Sequence, residues 1–239
     1  MSENDVHLWY SSLNIPLSIL QRLWSTLSSD EQKRAKRFCF ERERARFVAS
    51  RVLLRRILAY YTRTEPSKLQ FDYGSRGKPS LVEGVAGDRI RFNLAHSNAG
   101  AIYALTLDRD IGVDFEAVVP IPEYQQIADR FFSSREKATL QALAGNDKLE
   151  AFFKIWTAKE AYLKACGEGL SQPLDSIDVA LDRRESLHFL KTRANMPEDS
   201  PWSLQHLRPT SRSIAALVVN RSRYSLACWE WPGPQFRPT

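Results

Sequence analysis

The chain has 239 residues, of which 43% are hydrophobic and 26% charged, with 34 Lys and Arg against 28 Asp and Glu for a net charge of +6. Those proportions belong to a folded chain of one or two units and exclude a disordered polyelectrolyte. The three distant cysteines argue against a disulfide framework, and no apolar run approaches the roughly 18 residues of a membrane span. The start, MSENDVHLWY, has no basic region followed by an apolar run, so no signal peptide is expected and the expected location is cytoplasmic. A basic surface favours an anionic partner: nucleic acid, a phosphorylated ligand or an acidic protein.

Residues 6–10 read as a short strand. Ser29, with Gln32 three residues on, reads as a capping box that opens a long, partly interrupted helical region to about Thr62. Its apolar stripe is Ala45, Ala49, Val52, Leu53, Ile57, Tyr60 and Tyr61, and Arg44, Arg46, Arg51 and Arg55 fall largely off it. KLQFDY reads as a strand and GSRGKP as a turn. IRFNLAHS and AIYALTLD read as two strands joined by SNAG, and DIGVDFE as a third. Helices are expected at about 123–130 and 134–144, then a longer one from Lys148 to Cys166. That helix carries the stripe Phe152, Ile155, Trp156, Leu163 and Cys166, and Gly167 and Gly169 stop it. SIDVAL, SIAALVV and YSLACWEW read as strands, the tail PGPQFRPT as loose, and no repeat is visible.

Two apolar stretches carry charges that need an account. Asp114 and Glu116 in GVDFE lie two apart, which on a strand puts both carboxylates on one face. Glu160 and Lys164 in WTAKEAYLK lie four apart on a helix, one turn after Trp156. The bland readings are a strand emerging into water and an exposed ion pair worth about 0.3–0.5 kcal/mol. The sharper one is an all-oxygen set, Asp114, Glu116 and Glu160, suited to Mg²⁺ or Mn²⁺. Mg²⁺ completes its shell with waters and substrate phosphates, so the substrate would be a phosphate or diphosphate ester, with Lys164 as a further clamp. His96 has local backbone bonding as its bland reading, and Lys78 solvent. The Arg-rich helix with Phe38, Phe40 and Phe47 is open to two readings, a solvated face or a nucleic-acid surface. No helix-turn-helix, zinc finger, P-loop or dinucleotide fingerprint is present.

Taken together, these stretches resemble the 4'-phosphopantetheinyl transferase family in its longer, Sfp-type branch. The resemblance rests on GVDFE, on WTAKEAYLK about forty residues later, on the turn Gly77-Lys78-Pro79, and on FNLAHS, with RFFS and GEGL beside them. It implies an α+β fold of two similar halves, a pseudodimer with the active site between them, divided here as 1–109 and 110–239. It implies transfer of the 4'-phosphopantetheine arm of coenzyme A to a serine of an acidic apo acyl or peptidyl carrier protein, with release of 3',5'-ADP and a need for Mg²⁺. Carried over by motif position, Asp114, Glu116 and Glu160 would hold the metal and Lys164 would contact the diphosphate. Arg46, Lys78, Pro79 and His96 would surround the nucleotide, and Glu160, or a water it holds, would be the base. Ala95 stands where the family's usual Ser precedes the histidine, which implies weaker coenzyme A binding.

The resemblance also implies a monomer, with neither nucleic acid nor membrane as partner. A non-catalytic coenzyme A or carrier-binding protein of the same fold is the alternative. The carrier is expected to dock on RFFSSREKATLQAL, where Phe131, Phe132 and Leu140 flank Arg130, Arg135 and Lys137.

Overall fold

The computed structural model describes residues 1–82, 89–98, 100–167, 173–181, 187–191, 202–221 and 223–231. The first part of the chain runs β1 (Asp5–Ser12), α1 (Leu17–Arg22), α2 (Ser29–Ala35), α3 (Glu41–Thr62), β2 (Phe71–Tyr73), β3 (Pro79–Leu81), β4 (Ile90–Ser97) and β5 (Gly100–Leu107). The second runs β6 (Ile111–Ala117), α4 (Tyr124–Phe131), α5 (Ser134–Gln141), α6 (Gly145–Cys166), β7 (Asp178–Leu181), β8 (Leu187–Lys191), β9 (Trp202–Leu207), β10 (Ser213–Asn220) and β11 (Ser225–Glu230). One sheet has the order β11-β1-β5-β4, another β6-β10-β9, and β2-β3 and β7-β8 form ribbons. Among the described residues no helix is long and apolar enough to cross a membrane.

The two parts repeat one plan, which the sequence did not disclose. In each, the first strand pairs antiparallel with a later strand, which pairs in turn with the strand just before it: β1-β5-β4 and β6-β10-β9, while β11 returns to lie parallel to β1 at the edge of the first sheet. Each has a 22-residue helix, α3 or α6, preceded by a short helix with a capping box. In the first box Ser28 and Glu31 bond reciprocally, and in the second Ser133 and Glu136. Each box glutamate then takes a buried cation of the long helix. Glu31 holds Arg51 and Arg55, both at 2.6 Å, and Glu136 holds Lys159 at 2.6 Å. Arg55 also donates to the Pro66 and Leu69 carbonyls, and Lys159 to those of Phe131 and Leu174. Arg55 and Lys159 are 1% and 0% exposed, so their remaining donors must find carbonyls. The match is in geometry while the residue types differ, so comparing letters does not find it.

Four expectations change here. The first capping box is Ser28–Glu31, one residue before Ser29–Gln32, because the Ser28 side chain meets the free N–H at the third position. Arg51 and Arg55 do not form a solvated or nucleic-acid-facing stripe, since the Glu31 carboxylate draws both into the core, where they also lie 5.0 Å over the Phe71 ring. Phe132 and Leu140, each 1% exposed, do not form a docking surface; Phe132 stacks on Phe152 inside the second part. The expected helix 134–144 ends at Gln141, and α6 starts at Gly145. Gly169 and the tail from 232 lie outside the described residues.

The cores follow the same plan. One packs under α3 with Val52, Leu53, Ile57, Phe92 and Tyr103, and two pack around α6. A fourth joins the two sheets through Val6, Leu8, Ala95, Ile102, Val113, Phe115, Ala215 and Leu217. This shared core places the end of β4, from the first part, beside β6 of the second.

Candidate active site

Gly112 sets the distance between β6 and α6. A Cβ added there would meet the Ala161 carbonyl oxygen at 2.0 Å and the Ala165 nitrogen at 2.4 Å, so strand backbone and helix backbone are in direct contact. Only glycine permits that approach. Two residues further, Asp114 faces the last turns of α6, which carry Glu160 and Lys164. Lys164 Nζ donates to Asp114 Oδ1 at 2.6 Å. The other carboxylate oxygen, Oδ2, is buried and has no hydrogen-bond partner.

The remaining carboxylates crowd the same place. Burial raises the Glu160 carboxyl above its ordinary value, and the Asp114 charge raises it further against the pull of Lys164. Burial likewise raises Glu116; Asp114 and Glu160 add to that, while the Ser97 hydroxyl and Lys164 oppose it. The bland readings of the sequence therefore fail: Asp114 is 5% exposed, and Lys164 pairs across the fold with Asp114. Among the described residues no three His, Cys, Asp or Glu side chains close around one point as they stand. The donor chemistry nevertheless suits a hard divalent cation. All three groups offer oxygen, they repel one another, and Asp114 Oδ2 is a buried acceptor awaiting a partner.

A cleft of about 380 Å³ adjoins this cluster. Lys78, Pro79, Ala95, His96, Leu163 and Lys164 line it, so elements from both parts of the chain wall it. Arg34, Arg51 and Arg76 add cationic groups, and Phe47 and Tyr73 aromatic ones. Burial and the nearby Lys164 and Arg34 charges hold the His96 imidazole below its ordinary value. Arg46 does not line the cleft; it donates to Asn98 Oδ1 at 3.3 Å, at the hairpin two residues beyond His96.

Lys78 has a structural duty. Its Nζ donates to the Ile111 carbonyl at 3.2 Å and to the Ala165 carbonyl at 3.1 Å. An ammonium at the last carbonyls of α6 suits the negative end of the helix. Gly167, at φ +72°, ends that helix and leaves room beside the Lys78 side chain. Burial lowers the Lys78 ammonium, and two of its three donors are already committed.

The sequence reading omitted Arg34, Arg76, Phe47, Tyr73 and Asn93 from the cleft, and Ser97 beside it. Asn93 was the most findable of these. A polar residue inside an apolar strand must spend its amide somewhere, and here Oδ1 accepts from the Val113 N–H at 2.9 Å.

The chain matches two family models: 4'-phosphopantetheinyl transferase, N-terminal, over residues 17–106, and the 4'-phosphopantetheinyl transferase superfamily over residues 110–226. It is 41% identical to the 4'-phosphopantetheinyl transferase HetI of Nostoc sp., over 95% of this chain and 93% of that one. It is 31% identical to the 4'-phosphopantetheinyl transferase Sfp of Bacillus subtilis, over 67% of this chain and 69% of that one. Among solved structures, a holo-(acyl-carrier-protein) synthase of Bacillus anthracis in complex with CoA (3',5'-ADP) aligns with a TM-score of 0.39 and 23% identity. That alignment covers 48% of this chain and 96% of the other.

Proposed function

The chain is an enzyme that belongs to the 4'-phosphopantetheinyl transferase superfamily, and from that premise we propose how its own residues do the work. It moves the 4'-phosphopantetheine arm of coenzyme A onto a serine of an apo carrier protein and releases 3',5'-ADP. The observation that carries this reading is the Asp114–Lys164 pair with Glu160 and Glu116 beside it, opening on a cationic cleft.

The cleft takes the nucleotide end of coenzyme A. His96, Pro79 and the third donor of Lys78 face it, while Arg46, bonded to Asn98, lies outside its lining. The diphosphate lies toward Lys164, whose ammonium stabilises charge that grows on the phosphoryl oxygens as the serine attacks. A charge fixed there favours the transition state over the ground state. Glu160 accepts the serine proton, directly or through one water. Asp114, Glu116 and Glu160 would hold Mg²⁺, with Mn²⁺ as a substitute. When bound, the ion supplies Lewis-acid neutralisation of the diphosphate.

We propose that the two units divide between residues 109 and 110, a reading supported by the repeated plan that begins again at β6, with β11 crossing back to complete the first sheet. One chain supplies both walls of the cleft, which supports action as a monomer. No disulfide links the three cysteines, in keeping with a reducing, cytoplasmic setting. An acidic carrier helix suits the net charge of +6. The test is intact mass of several apo carriers after incubation with the protein, coenzyme A and Mg²⁺. A gain of one phosphopantetheine arm on a carrier serine is expected. Coenzyme A binding with no mass gain on any carrier would leave the non-catalytic alternative instead.

A further inference from the structure

Ser97 ends β4 in the first unit, yet both of its side-chain hydrogen bonds go to β6 in the second. Its hydroxyl donates to Glu116 Oε2 at 2.5 Å and accepts from the Ala117 N–H at 3.2 Å. The second bond orients the first. With a lone pair given to a backbone donor, the hydroxyl proton is turned toward the carboxylate. Four residues earlier on the same strand face, Asn93 accepts from the Val113 N–H. Strands β4 and β6 belong to different sheets, so no backbone ladder joins them. These two side chains stand in its place and bracket Asp114 and Glu116 from either side.

We propose that Ser97 is a positioning residue for Glu116: its hydroxyl takes one carboxylate oxygen and leaves the other to a divalent cation shared with Asp114 and Glu160. This rests on the reading of those carboxylates as cation-directed. A free glutamate side chain has several rotamers, and ordering one for a ligand costs conformational entropy at binding. The Ser97 hydroxyl does that ordering beforehand. The strand also explains why the residue sits next to His96. Successive side chains point to opposite faces, so His96 lines the nucleotide cleft while Ser97 reaches the carboxylates. One strand of the first unit thereby sets both ends of the site.

The test is direct titration of Mn²⁺, followed by the paramagnetic resonance signal of the free ion, without coenzyme A or carrier. Unmodified protein is compared with Ser97→Ala, Ser97→Cys and Ser97→Thr, each checked by thermal melting. Loss of a partner that orients a metal ligand weakens metal affinity by about 10- to 100-fold, so Ala and Cys variants should bind Mn²⁺ at least about tenfold more weakly. Thr, which keeps the hydroxyl, should bind close to unmodified protein. The Cys variant is close in size to Ser and donates poorly, and it decides the matter if the Ala variant does not fold. In a Glu116→Gln background the Ser97 substitutions should add no further loss. Unchanged Mn²⁺ affinity in folded Ala or Cys variants overturns the proposal, as does a full additional loss in the Glu116→Gln background. Unmodified protein that binds no Mn²⁺ overturns the proposal and the cation-directed reading together.

Discussion

Gly112→Ala is expected to damage folding and catalysis together, because one added carbon acts on the contact that assembles the site. That carbon would sit 2.0 Å from the Ala161 oxygen and 2.4 Å from the Ala165 nitrogen, whereas real Cβ contacts essentially never fall under 3.0 Å. The strand and helix must therefore part by at least 3.0 − 2.0 = 1.0 Å. Both offending atoms are backbone in a hydrogen-bonded helix, so no side chain can swing aside. Overpacking of a tight core costs typically about 1–3 kcal/mol and more when backbone must move. Taking about 3 kcal/mol, the melting temperature falls by roughly 6–12 °C for a chain of this size. Separation of β6 from α6 also carries Asp114 away from Glu160 and Lys164. A misplacement of about 1 Å in a reacting constellation costs about 100-fold in rate. The assay is a thermal melt together with phosphopantetheine transfer to an apo carrier below the melting range. Gly74→Ala is the control, since its Cβ would stand 3.7 Å from the nearest atom, an ordinary contact. A Gly112→Ala protein that melts with the unmodified one and transfers at full rate would refute the reasoning.

Removing Glu31 as Glu31→Ala leaves two buried guanidinium groups without an anion, and breaking such a set costs about 3–5 kcal/mol, measurable by urea unfolding. Burial alone would raise the Glu31 carboxyl, but Arg51, Arg55 and the Ser28 N–H outweigh it and hold it below 4.5, its ordinary value. A depressed folded value gives stability that is fully present above that ordinary value and lost as pH falls through the folded one, so the unmodified protein's stability should drop over that acid range, and the drop should be flattened in Glu31→Gln. Glu160→Ala, or EDTA on the unmodified protein, should lower transfer by about 100-fold or more, and full turnover in either case would remove Glu160 and the metal from the mechanism. His96→Ala should weaken coenzyme A more than dephospho-coenzyme A at unchanged melting temperature. Lys78→Ala should do so with a lowered melting temperature, because the Ile111 and Ala165 carbonyls lose their donor; equal melting of the two variants would contradict the structural role of Lys78.

Much of the site was legible in the sequence because its signals are local. The spacing of Asp114 and Glu116 needs only the two-residue period of a strand, and that of Glu160 and Lys164 only the turn of a helix. Long apolar stripes placed the end of α3 and both ends of α6 to within a few residues, and the glycine after Cys166 marked the end of α6. Tertiary structure decided what those residues face. Asp114 and Lys164 stand 50 positions apart, Ser97 and Glu116 19, and Lys78 and Ala165 87, and no periodicity encodes such pairings. The stripe could not show that Arg51 and Arg55 are buried, because burial of a charge depends on a counter-ion, Glu31, held by a different helix. For the same reason the repeat of the two units stayed hidden. Folding preserves the place of a buried cation on a capping-box glutamate, whether arginine in one unit or lysine in the other, and that place exists only once the chain has packed.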